Sequence, residues 1–184
     1  MANSGHYKNI VPAPVAAHTH RWDWNAYADA DARCQRAMEL ALRLKEEDVY
    51  RVTSVYTSLC LNLVSELQYL ILTRLEKVQP YLESLSGKVA EGHDCMNCSG
   101  KCAISHGSMV REIADSHYHT TEVFNRLNKI AIPLYSDETA LDSYKLLRRE
   151  MEDLYLLIHR LFFREEAELI PQILEKQKKI HASD

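Results

Sequence analysis

A chain of 184 residues with 22 basic and 26 acidic side chains, and a formal charge of −4, is long enough for one domain with a real core. Five glycines and five prolines against plentiful Leu, Ala, Glu, Lys and Arg favour helix over sheet. Charges of both signs are interspersed and the apolar runs are short, so the reading expects neither nucleic-acid nor membrane partners.

Residues 1–20 lack periodicity and carry Pro12 and Pro14, which reads as a flexible arm ahead of a single domain over 21–184. No charged-then-apolar leader opens the chain, so the expected location is the cytoplasm. From Trp24 to about Lys45, Tyr27, Ala30, Cys34, Ala37, Ala41 and Leu44 recur at helical spacing and predict a first amphipathic helix. A break near "KEED" precedes a second helix, with the stripe Val52, Tyr56, Leu59, Leu63, Glu66 and Leu70, ending around "QPYLESLSGK". A third helix is expected to begin between Lys101 and Ser108. It places Val110, Ile113, His117, Phe124, Leu127 and Ala131 on one face, and Pro133 ends it. Ser136 and Asp137 are N-cap candidates for a fourth helix to about Gln177. Leu147, Met151, Leu154, Ile158, Phe162, Glu165 and Leu169 line that helix, and Pro171 should kink or interrupt it.

Four such helices predict an all-α, up-down-up-down four-helix bundle. A Cys/His-rich loop of about fifteen residues joins helices 2 and 3, and long loops in compact domains are often functional. There is an internal echo: "RLEKVQPYLESL" late in helix two parallels "REEAELIPQILEK" late in helix four, which fits a bundle with pseudo-twofold symmetry.

The loop "EGHDCMNCSGKCAISHGS" packs three of the five cysteines into eighteen positions. Cys95, Cys98 and Cys102 are spaced C-x2-C-x3-C, with His93 before them and His106 four residues after. In a reducing compartment such a cluster points to metal or redox chemistry before a structural disulfide. C-x2-C lets two thiolates reach one metal from a tight turn. Cys102 and His106, four apart, share a face if the third helix has begun. Three thiolates and an imidazole, with His93 as substitute donor, make a tetrahedral zinc site. The same thiolates could hold an iron–sulfur cluster, and Cu(I) is chemically compatible. Cys34 and Cys60 sit on apolar stripes and read as small core residues.

Glu66, His117 and Glu165 interrupt otherwise apolar stripes, with His119, Glu122, His159 and Glu166 nearby in sequence. Facing carboxylates and histidines in a four-helix bundle are how di-iron centres are built. A hydrogen-bonded buried His or Glu is the plainer alternative.

The helix-four segment "HRLFFREEAELIP" resembles the hemerythrin-like (HHE cation-binding) family. That resemblance implies a four-helix bundle with two irons in its core, acting in oxygen binding or nitrosative and redox stress. Glu165, Glu166 and Pro171 match the family's pattern, whereas Leu161 stands where its histidine should lie and "YLILTRLEKVQP" in helix two has none. Over about twenty residues, Glu83 and the C-x2-C pair also resemble the alkylhydroperoxidase D family, with Cys102 in place of that family's histidine.

The expected function is thus a metal-binding helical bundle with zinc or an iron–sulfur cluster in the loop, serving redox or metal-dependent sensing. The alternatives are a hemerythrin-like di-iron protein handling oxygen, peroxide or nitric oxide, with Glu66, His117, Glu165 and Glu166 as ligands, and a C-x2-C thiol redox protein or non-enzymatic interaction module. No motif declares a catalysed step. A homodimer or a protein partner is compatible with every one of these readings.

Overall fold

The computed structural model describes residues 22–49, 51–94, 106–131 and 141–181, with the backbone alone at 106, 107 and 131. The described chain is all-helical: α1 Ala26–Glu47, α2 Ser54–Thr73, α3 Gln79–Ala90, α4 His106–Ala131, α5 Asp142–Arg164 and α6 Ile170–His181. One π-helical turn, Arg74–Val78, joins α2 to α3 and another, Glu165–Leu169, joins α5 to α6. Counting each joined pair as one rod leaves four rods, the helical bundle that the sequence periodicity predicts. The arm, the cysteines of the helix 2–3 loop and the N-cap candidates Ser136 and Asp137 lie outside the described residues.

The α1 stripe is buried as its spacing requires: Tyr27, Ala30, Cys34, Ala37, Ala41 and Leu44 face the core. Its three alanines let α2 and α5, the two helices it packs against, approach closely. The break after α1 forms without Gly or Pro. Arg51 takes φ 58°, and the Asp48 carboxylate accepts from Val52 N–H at 3.0 Å, Thr53 N–H at 2.6 Å and Thr53 Oγ1 at 2.7 Å. One carboxylate thereby satisfies N–H groups that the start of α2 would leave without partners. Desolvation pushes the Asp48 carboxyl up, but these bonds outweigh it and hold the group below the usual carboxylate range.

Helix α2 departs from the expected stripe. Its core residues are Tyr56, Thr57, Cys60, Leu63, Val64, Leu67, Leu70 and Ile71. Val52 and Glu66, both expected to face inward, are exposed. The register follows Cys60, Leu63 and Leu67, and Glu66 falls about 100° off that line. By length and composition Ser54–Ala90 is apolar enough to cross a membrane, yet Leu63, Val64, Leu67, Leu70 and Ile71, which make it so, face the bundle core.

Both π-turns end two residues before a proline. Gln79 N–H bonds the carbonyl of Arg74 and Ile170 N–H that of Glu165, a five-residue step in place of four. Pro80 and Pro171 have no N–H to continue an α ladder, and their rings would press on the carbonyl four residues back. The wider turn removes both problems. It also keeps the stripe in line. Core positions 70, 74, 78 and 82 are spaced by four, which in a pure α-helix overshoots the face by about 40° each time. The π-turn takes back part of that drift, and the same holds at 165, 169 and 173.

The echo in sequence is real in burial. Leu63 and Leu154, Leu67 and Ile158, Arg74 and Glu165, Val78 and Leu169, and Leu82 and Ile173 occupy matching buried positions of the two long rods. Tyr27 and His117, Ala30 and Thr120, Cys34 and Phe124, and Ala37 and Leu127 do so in α1 and α4.

Candidate functional site: a four-residue polar layer in the core

The matched positions converge at one level of the bundle, each rod contributing one residue: Tyr27 from α1, Arg74 and Glu165 from the two π-turns, and His117 from α4. Glu165 is completely buried and Arg74 nearly so, with side-chain exposures of 0% and 3%. The guanidinium donates from Nε to Glu165 Oε1 at 2.8 Å and from Nη2 to Oε2 at 3.1 Å, a two-pronged bond. The Tyr27 hydroxyl donates to Oε1, and His117 Nε2 lies 2.5 Å from Oε2. On its far side His117 Nδ1 lies 3.1 Å from Oε1 of the exposed Glu166. The imidazole stacks on Phe162 with ring centres 4.1 Å apart. Arg74 Nη2 also donates to Ser116 Oγ at 2.7 Å, which passes a bond to the Ile113 carbonyl at 2.6 Å.

The electrostatics follow from this geometry. Burial alone would drive the Glu165 carboxyl up. The His117 bond, the Arg74 charge and the Tyr27 hydroxyl reverse that and hold it below the usual value, so it is ionised. Tyr27 moves the other way: burial and the adjacent carboxylate push its phenol far above the ordinary tyrosine value, fixing it as a donor. Two aromatic neighbours close the layer at the start of α1. Trp22 and Trp24 lie 6.1 and 6.0 Å from the Tyr27 ring, and Arg164 sits 5.0 Å over Trp22. The "WDW" segment therefore anchors this helix end.

Of the core residues singled out in sequence, His117, Glu165 and Glu166 meet, while Glu66 does not join them. Glu66 pairs instead with His119 at 3.3 Å, on side chains that are 50% and 68% exposed. Glu122 is exposed, and His159 packs on Tyr155 at 4.2 Å. Tyr27, legible in sequence as a core residue, joins the site with Arg74 and Ser116, which no motif marks. Arg74 was legible in one respect, since the echo sets it opposite Glu165. A di-iron centre needs carboxylate or imidazole donors from facing helices. Here the second rod delivers a guanidinium and the first a phenol already donating to Glu165, so this layer does not fit two irons.

The helix before the thiol loop has a well-formed end. Gly92 adopts φ 65°, His93 N–H bonds the Lys88 carbonyl at 2.9 Å and Gly92 N–H that of Val89 at 3.2 Å, closing α3 just before the cysteines. Helix α4 opens at His106. Cys95, Cys98 and Cys102 lie outside the described residues, and among the described residues no three His, Cys, Asp or Glu side chains converge as metal ligands would. Cys34 and Cys60 are buried, and burial pushes each thiol up to about 12.

Compared with known proteins, the chain matches no family model, no curated protein and no solved structure.

Proposed function

We propose that the protein is a metal-binding up-down-up-down helical bundle whose site is the Cys/His loop between its second and third long helices, with Cys95, Cys98 and Cys102 as thiolate ligands. His106 is the fourth donor, with His93 as its substitute. The observation that carries this reading is the closed polar layer. Glu165, the one fully buried carboxylate among the described residues, is already bonded to a guanidinium, a phenol and an imidazole. With Cys34 and Cys60 held as neutral buried thiols, the soft donors left to a metal are those of the loop. Cys102 lies four positions before His106 in sequence, and beside a helix N-terminus its thiolate would be favoured.

Zinc would make the site closed and structural, pinning the loop across the bundle end. An iron–sulfur cluster would make it a redox or sensing centre. Elemental analysis with a visible spectrum, on protein purified without oxygen, separates the two. One zinc per chain with no visible absorption supports the first, and broad absorption with acid-labile sulfide the second. Replacing the three loop cysteines by serine should abolish either. Two irons retained in that triple variant would overturn the proposal and return the chemistry to the core.

A further inference from the structure

We infer that the groove between α2 and α4, beside the polar layer, is a binding site for a small zwitterionic amino carboxylate, an inference independent of the loop metal. The groove encloses about 590 Å³ and its floor is Arg74 and Ser116. That volume suits a small organic molecule. Arg74 supplies the decisive feature. Its hydrogen bonds run from Nε and Nη2, and Nη1 has no acceptor among the described residues. A guanidinium that is 97% buried thus keeps a pair of donors for the groove it lines. A desolvated, pre-oriented donor pair of this kind is suited to a carboxylate oxygen, and Thr73 adds a hydroxyl beside it.

The lining of the groove argues against a plain anion. Glu66 and Glu112 both line it and each would repel one, with Lys77 in the same lining offsetting a single charge without forming an ion pair to either. Glu66 is held by His119, whereas Glu112 has no ion-pair partner among the described residues and is open to an ammonium. Tyr69, two-thirds exposed, forms an apolar wall for the body of the ligand. Carboxylate on the floor, ammonium at Glu112 and an apolar side chain on Tyr69 describe an α-amino acid or a close analogue.

The test is ligand-observed NMR and calorimetry on the full chain with L-phenylalanine, L-leucine, L-phenylalaninamide and N-acetyl-L-phenylalanine at millimolar concentration. At least one of the two free amino acids should bind, and both blocked forms should bind at least about tenfold more weakly, each having lost one charged contact. Glu112→Gln and Tyr69→Ala change exposed side chains outside the core and should each weaken binding about tenfold or more, with the circular dichroism spectrum unchanged. Equal binding of the acetylated form would overturn the zwitterion assignment. Absence of binding by both free amino acids to the wild-type chain, or binding unaltered in both variants, would overturn the site. Metal content should be the same in all these variants, so failure here is distinct from failure of the loop site.

Discussion

Replacing Glu165 by Gln changes the polar layer by one atom and removes its only buried negative charge. The glutamine keeps the shape and one acceptor oxygen, so Tyr27 retains a partner. Arg74 loses its counter-ion: its guanidinium, with a side-chain exposure of 3%, would keep its positive charge with only the Ser116 hydroxyl and an amide oxygen at hydrogen-bond distance. Breaking a buried ion pair from one side costs about 3–5 kcal/mol, because the orphaned charge has already lost its water. A domain of this size is stabilised by about 10 kcal/mol, so roughly a third to a half of the total is at stake. With a urea m-value of about 2 kcal/mol/M, the unfolding midpoint followed by circular dichroism should fall by about 2 M. The double variant Arg74→Met/Glu165→Leu removes both charges and should recover most of that loss, because apolar replacement of a whole buried pair is often neutral or stabilising. A loss below about 1 kcal/mol in Glu165→Gln would refute the reasoning, since it would mean that the layer is hydrated and the pair screened.

The acid limb of the stability profile should carry the signature of the same residue. The folded Glu165 carboxyl lies below its ordinary value. Its contribution is therefore complete above about pH 4.3, the unfolded value, and is lost as pH falls through the lower folded value. Glu165→Gln should flatten that limb in unfolding curves taken from neutral to acid pH. Thiol titration of metal-free native protein should count three fast cysteines and two slow ones. Cys34 and Cys60, with thiols pushed up to about 12 by burial, should react only after unfolding. Fast reaction of all five would show that the bundle opens readily. Gly92→Ala should cost about 1 kcal/mol by thermal unfolding, because φ 65° at the end of α3 is a left-handed conformation that a Cβ disfavours. No loss would mean that this helix end is not held as described.

The helices and most of their inward faces were legible in the amino-acid pattern. The reason is local: a stripe repeated every three or four residues leaves a helix only one face to bury. Tyr27 through Leu44 in α1 and Leu147 through Leu169 in the last long helix were legible residue by residue. The pattern also showed that His117 and Glu165 interrupt apolar faces, and that the ends of the second and fourth helices echo each other. What these residues meet depends on how the rods pack. The register of α2 turned Glu66 to the surface, because Cys60, Leu63 and Leu67 fit the core better than Leu59 and Glu66. Pro171 reads as a kink or interruption in the sequence, but wide turns ahead of Pro80 and Pro171 carry both helices through, and those turns bring Arg74 and Glu165 to one level. Pairing across 91 positions depends on how four rods pack, and no local pattern encodes it.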